Sequence, residues 1–524
     1  MSEKERIAAA TGVVGAATFL SRILGYLRDM VIAYFFGAGM ATDAFFVAFR
    51  IPNTLRRLFG EGSLTVSFIP VFSEYLQNGE QREWEELVNA AFTLLSIILA
   101  GISLLGVILS PWVVRGLAPG FLDPEQFRLA VLMTRTVFPY LFFIGLVALA
   151  MGVLNAMGHF AAPALAPALL NISMIGSAFL LFQRFSPPIM ALAIGVLVGG
   201  VAQLLFQIPF LLGKGIQFRP NFRFGSNPGI HRIGRLMMPA VISTAVVQIN
   251  VFVSQILASF LTKGSISFLY YAYRLVEFPL GIFVVALGTA ALPSFSRLVV
   301  RERIGEFRDT VCFSLRMVFF LTIPAMVGLI VLRVPIISLL FQRGEFDFLA
   351  TLLTSKALLY YAVGLWAIAG VRIVAPAFFA LQDMKSPVKV ATVAFVANIV
   401  FGLILMRPLQ HSGLALANSL SAAVNFLLLL AVLMRRVGML DWGGILRSLS
   451  KVALASLPMG LIVYGLSLLG EWSESGTGLF NGLVLGISVV AGMLVFLCTS
   501  LLIKTEEALF LLSMIKRELG RNRA

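Results

Sequence analysis

Apolar runs of about 20 residues recur along the chain, separated by short polar stretches, and each is long enough to cross about 30 Å of hydrocarbon as helix. They predict about fourteen transmembrane helices, at 8–36, 41–74, 87–114, 128–156, 160–183, 188–213, 233–262, 266–297, 310–333, 347–381, 387–406, 411–434, 448–470 and 477–503. Several are longer than a simple crossing, which predicts tilting or cytoplasmic extension. The expected fold class is an all-α integral membrane protein.

Polar positions inside these spans form a second pattern. In the second span Asp43, Arg50, Asn53, Thr54, Arg57 and Glu61 keep returning to one side of a 3.6-residue helix, so the stripe must face protein or water. Pro52 removes one backbone hydrogen bond and predicts a bend near Arg50. The first span puts Arg22 and Asp29 on nearly one line, with Arg28 rotated away and Gly25 between them. Arg56 adds a further cation, the eighth span carries Arg274 and Glu277 one turn apart beside Tyr270 and Tyr273, and the tenth carries Arg372 ahead of Pro376.

Each mid-bilayer charge costs about 2.5–3.5 kcal/mol on insertion scales, so this many imply a wet cavity with a charged ligand or internal partners. One reading is that arginines pair with acids to hold helices together. The arginines outnumber the acids, however, and an unpaired buried charge is costly, which points to an anionic ligand. On that count Arg28 is a surplus cation, whose removal relieves a burial cost and leaves the protein inserted.

The chain also reads as two halves. Phe49-Arg50 leads to Ile69-Pro70-Val71-Phe72-Ser73, and Tyr273-Arg274 leads at nearly equal spacing to Leu292-Pro293-Ser294-Phe295-Ser296. A turn glycine, Gly39 or Gly264, precedes each arginine. Six spans separate the segments, so they share one orientation: a parallel repeat of two six-helix lobes, with the last two helices added. The expected divisions are 1–215, 216–436, 437–503 for the added pair, and a basic tail at 504–524.

Composition fits this picture: 59% hydrophobic and 12% charged residues leave no soluble domain of useful size, and mean hydropathy is +0.95. The formal charge of +15 is spread over short loops without a basic domain or a stacking platform, which argues against nucleic-acid binding. Loops at 214–235, 297–309, 383–389 and 435–451, with the tail from Lys504, carry about three times the Lys and Arg of the opposite loops. Both termini are therefore expected in the cytoplasm. Ile7 to Phe19 resembles a signal peptide, but the apolar pattern resumes after Arg22 and predicts an uncleaved first helix.

Cys312 and Cys498 lie far apart in apolar surroundings, and His159, His231 and His411 read as interfacial residues at loops or helix ends. No metal site, cofactor motif, phosphate-cradling loop or Ser-His-Asp arrangement is legible, so an enzyme and an ATP-driven pump are not expected. Membrane potential or a coupled ion remains as the energy source. The eleventh span offers Asn398 but no acid for an ion site.

The stretch Ser21-Arg22-Ile23-Leu24-Gly25-Tyr26-Leu27-Arg28-Asp29, then Phe36 to Phe46, Ile51-Pro52-Asn53 and Leu55 to Phe59, closely resembles the MurJ/MviN lipid II flippase family of the multidrug/oligosaccharidyl-lipid/polysaccharide exporter superfamily. Leu269 to Pro279, Ala286 to Thr289 and Leu292-Pro293 extend the likeness. The resemblance implies a V-shaped, 14-helix transporter of the bacterial inner membrane that works as a monomer. It would move undecaprenyl-diphosphate-linked peptidoglycan precursor to the periplasmic leaflet by alternating access. By motif position, Arg22, Arg28 and Arg274 would bind diphosphate and sugar, Asp43 and Arg56 would contribute, and the last two helices would take the lipid tail. Some members carry an acid just before the eighth-span arginine, where this chain has Tyr273, so a carboxylate role there passes to Glu277 or lapses. The rival readings are an exporter of drugs or another lipid-linked glycan, and a membrane enzyme acting on a polyprenyl diphosphate. The first would want an acidic cavity for cationic drugs; the second usually shows an acidic metal-binding motif at a cytoplasmic loop.

Overall fold

The computed structural model describes residues 3–56, 64–473 and 478–521, and all regular structure within them is helical. The chain divides into two compact units, Met1–Gly264 and Ser265–Ala524. The first holds α1 (Glu3–Phe36), α2 (Met40–Arg56), α3 (Leu64–Asn78), α4 (Gln81–Ile108), α5 (Ser110–Leu117), α6 (Pro124–Val137), α7 (Tyr140–Ala156), α8 (Ala161–Leu181), α9 (Met190–Gly213) and α10 (Pro228–Ser259). The second holds α11 (Ser265–Pro279), α12 (Val285–Val300), α13 (Ile304–Val331), α14 (Arg333–Phe341), α15 (Phe348–Val363), α16 (Leu365–Ala380), α17 (Lys385–Val437), α18 (Trp442–Ser467), α19 (Leu479–Leu502) and α20 (Glu506–Arg521).

Local chemistry sets many of the helix boundaries. Asp123 accepts from the Glu125 amide ahead of Pro124, and Asn227 accepts from the Gly229 and Ile230 amides ahead of Pro228. Each satisfies amides that the first helical turn leaves without partners. Gly438, at φ 89°, ends α17 just after Arg435 and Arg436, where a cation faces the negative end of the helix.

In the first unit α1 packs on α8, α8 on α9, α7 on α9, and α10 on α3. Small residues permit the α8–α9 approach. A Cβ added at Gly199 would sit 3.1 Å from the Leu170 Cα, and one at Gly195 would collide with Ser177, so the Gly195-x-x-x-Gly199 spacing lets the two backbones close up. In the second unit α13 packs on α16 and α18, α18 on α19, and α15 on both α11 and α17.

Among the described residues nine helical stretches are long and apolar enough to cross a membrane, or ten if α15 and α16, bent by 42° at Gly364, form one span. The sequence windows count more crossings, partly because α17, counted here as one stretch of 53 residues, is two helices joined at a kink. At 1.5 Å per residue it would reach about 80 Å, far beyond one bilayer core. It contains Pro408 and a non-helical Gln410 (φ 53°, ψ −137°), where the two expected spans meet.

The faces of these helices sort as lipid requires. The best-buried window, within Pro124–Ala156, is 78% buried, whereas those in α4 and α19 are each 28% buried and turn Leu104, Leu105, Leu483 and Leu494 outward. The expected tail is helical in α20, tied down at its start: Arg316 donates to Glu506 at 2.6 Å, and Ser448 donates to the buried Glu507 at 2.9 Å.

The two repeat segments adopt matching local structures in their own units. Pro70 lies inside α3 and Pro293 inside α12, and Phe72 and Phe295 are both fully buried. Phe72 meets Trp84 of α4, and Phe295 meets Phe307 of α13, the next long helix in each case. The left-handed turn before α2 falls on Gly37 (φ 62°) instead of Gly39, while Gly264 does take positive φ (93°) before α11.

Candidate functional site

Arg28 and Asp29 sit on α1 where it packs against α8, 8% and 0% exposed. The guanidinium donates from Nε (3.0 Å) and Nη2 (2.7 Å) to one oxygen, Oδ1, of Asp29. Its Nη1 donates to Oδ1 of Asn171 on α8 at 3.1 Å, and Asn171 Nδ2 donates to the Ser21 carbonyl at 3.2 Å. Arg28 is therefore no surplus cation: its charge is balanced by its neighbour. The sequence reading separated the two because consecutive helical positions diverge by about 100°, but a long arginine side chain bends across that angle. Arg22, on the same helix, is exposed.

The spacing of the α2 stripe requires protein or water on that side, and its described members find protein partners, each a different one. Asp43 is 2% exposed and accepts from the Gly264 amide at 2.6 Å. Arg50 donates from Nε to Gln255 Oε1 of α10 at 2.7 Å, and Arg56 donates to Asn53, one turn back, at 3.3 Å. Arg57 and Glu61 lie outside the described residues. Tyr140, fully buried at the start of α7, meets the Phe49 ring, and its hydroxyl has no hydrogen-bond partner among the described residues.

In the second unit Arg274 donates to Glu277 one turn on at 3.2 Å, with both side chains half-buried. Tyr273 packs edge-on against Tyr361. A π-helical turn, Leu280–Val284, follows directly after Pro279, the kind of local distortion that relieves a helix interrupted by proline. Arg372 is exposed on α16, whose backbone passes close to Gly288 of α12. His411, next to the kink at Gln410, is packed inside the protein: it is 4% exposed, and its Nε2 lies 2.9 Å from the Leu353 carbonyl.

Two loop features brace the first unit. Lys263 donates to Asp123 at 2.6 Å, which holds that carboxyl below the usual carboxylate range, helped by the Glu125 amide. The Gly120 amide donates to the Ser259 hydroxyl at 3.0 Å. On the α7–α8 loop, His159 stacks on Phe210, and burial, reinforced by Lys214, lowers its pKa.

Asn171, Gln255 and Tyr140 were not singled out by sequence reasoning. Asn171 alone left a trace, as an isolated amide in the apolar stretch Ala161–Leu181. Chemically, the Arg28 cluster offers oriented donors to an anion in a setting shielded from water. Guanidinium donors are suited to phosphate oxygens.

A family model described as lipid II flippase MurJ matches residues 32–500. A probable lipid II flippase MurJ of Vibrio cholerae serotype O1 is 42% identical over 425 residues, covering 80% of this chain and 81% of that protein. A solved lipid II flippase MurJ in an inward closed conformation superposes with a TM-score of 0.78 at 28% identity, covering 93% of this chain and 97% of the other. An inward-facing multidrug resistance MATE transporter of the MOP superfamily gives 0.67 at 15% identity over 81% and 97%, a likeness of fold alone. The length of the family match and the identity to its members place this multi-pass membrane protein in the MurJ lipid II flippase family.

Proposed function

We propose that this protein carries lipid II, the undecaprenyl-diphosphate-linked peptidoglycan precursor, from the cytoplasmic to the periplasmic leaflet of the bacterial inner membrane. It acts as a monomer by alternating access, with both termini in the cytoplasm. The observation that carries the reading is the buried, oriented guanidinium of Arg28 on α1, the first span expected from the sequence, held by Asp29 and Asn171. Such a group recognises diphosphate oxygens by charge-assisted hydrogen bonds while the hydrocarbon tail stays in lipid.

In this reading Arg22, Arg28, Asp43 and Arg56 of the first unit serve the head group, with Asp29, Arg50, Arg57 and Glu61 supporting them. Arg274, Glu277 and Arg372 are the candidates of the second unit. The outward apolar faces of α18 and α19, with Leu454, Leu457, Leu461, Leu483 and Leu494, suit a polyprenyl tail.

The test is replacement of the resident flippase in bacteria that depend on one. The unaltered chain is expected to restore growth and the movement of lipid II to the outer leaflet, and Arg28→Lys to restore neither. Growth restored without any lipid II movement would refute the reading.

A further inference from the structure

Asn171 has a more specific place than packing alone assigns it. It is 6% exposed on α8 and touches α1 twice, accepting from Arg28 Nη1 and donating to the Ser21 carbonyl. A guanidinium only donates and a carbonyl only accepts, so the two bonds fix which end of the amide faces which group. Asp29 engages Nε and Nη2, and Asn171 engages the remaining nitrogen, so all three nitrogens of the Arg28 guanidinium are held in one plane.

Each partner makes a different contribution. Asp29 supplies the balancing charge, while Asn171 supplies orientation without a second negative charge, which would repel an anionic ligand. A side chain already locked in its binding orientation loses less rotamer freedom when the ligand arrives.

We propose that Asn171 is a positioning residue that aims Arg28 at the head-group diphosphate. This rests on the reading of Arg28 as a diphosphate-binding group. Sequence gave no functional weight to Asn171, and its partner lies 143 positions away.

The experiment is equilibrium binding of farnesyl diphosphate, with farnesol as the phosphate-free control, to the full-length protein in detergent, alongside thermal unfolding. The variants are Asn171→Ser, Asn171→Leu, Arg28→Lys, and each Asn171 change combined with Arg28→Lys. Serine is small enough to keep the α1–α8 contact if leucine does not fold. Loss of one hydrogen bond to a charged group predicts farnesyl diphosphate binding about tenfold weaker in Asn171→Ser, and farnesol binding unchanged. In the Arg28→Lys background the same change is expected to cost less than about twofold, because the group being aimed is gone.

Unchanged binding in Asn171→Ser, or an equal loss in both backgrounds, overturns the positioning role while leaving Arg28 as a ligand group. Full-strength binding by Arg28→Lys overturns the diphosphate reading itself, and the role of Asn171 with it.

Discussion

The Asp43 carboxylate accepts a 2.6 Å hydrogen bond from the backbone amide of Gly264, which lies 221 positions further along the chain. The bond ties the first turns of α2 to the end of the α10–α11 loop, at a residue whose φ of 93° suits glycine. A buried carboxylate is an expensive acceptor to place here, and satisfying that amide offsets part of its cost. Asp43→Ala is therefore expected to lose about 1.5–3 kcal/mol of stability, the range for a hydrogen bond to a charged group, and Asp43→Asn to lose less because it keeps an acceptor oxygen. Thermal unfolding in detergent checks this; equal losses in the two variants would show that the charge, not the hydrogen bond, is what matters.

Arg28→Ala behaves differently from the removal of a surplus cation, because it leaves Asp29 charged and buried. Breaking one side of a buried ion pair typically costs about 3–5 kcal/mol, so the single variant is expected to be strongly destabilised. Asp29→Asn in the same chain is expected to recover much of that stability without recovering transport. Unfolding curves for the two variants, set beside lipid II movement, separate the structural role of the pair from its functional one.

The Asp123 and Lys263 pair carries a direct pH signature. The folded-state pKa of Asp123 is depressed, chiefly by the Lys263 hydrogen bond, so any stability it contributes is present above the ordinary carboxylate range and is lost as pH falls through the lowered value. Lys263→Met is expected to raise the Asp123 pKa toward its ordinary value. Carboxyl-resolved titration of the two proteins measures the difference, and an unchanged Asp123 titration would exclude Lys263 as its cause.

His159 shifts stability in the opposite sense from a histidine that gains a carboxylate partner. Its folded-state pKa is lowered by burial, so between that value and about 6.5 the unfolded chain holds a proton that the folded one does not. Stability is therefore expected to fall as pH drops below the ordinary histidine range. His159→Phe, which keeps the stack on Phe210, is expected to flatten that fall. Unfolding midpoints across mildly acidic pH supply the comparison.

Topology has its own check in a chain whose exposed Cys498 is replaced by Ala. A cysteine at the highly exposed Leu122, in the α5–α6 loop, is expected to label from the periplasm in intact cells. One at Gly225, where an added Cβ meets nothing within 4 Å, is expected to label only after permeabilisation. Labelling of both from the same side would overturn the orientation derived from the loop charges.

Regular spacing made much of the architecture legible in the sequence. Apolar runs located the helices, but the starts expected at 128 and 233 fall inside them, because Asp123-Pro124 and Asn227-Pro228 begin the helices earlier with a capping side chain followed by proline. The polar stripe of α2 was expected to face protein or water, and its described members Asp43 and Arg50 meet protein groups. The partners were not legible, because they depend on tertiary pairings that local periodicity does not encode: Asp43 with Gly264, Arg50 with Gln255, and Arg28 with Asn171. Counting arginines against acids treated charges as a pool, whereas Asp29 pairs with Arg28 and Glu277 with Arg274.

The pairing of Arg28 with Asp29 also bears on how voltage would enter the proposed cycle. A potential of 100 mV acts on a net elementary charge with about 2.3 kcal/mol, but it does no net work on a dipolar pair that moves as a body. In the proposed cycle the pair would add no electrical cost to the return of the empty carrier. Work done by the potential at this site would fall on the stroke that carries the cargo's phosphates, and not on the Arg28–Asp29 pair itself.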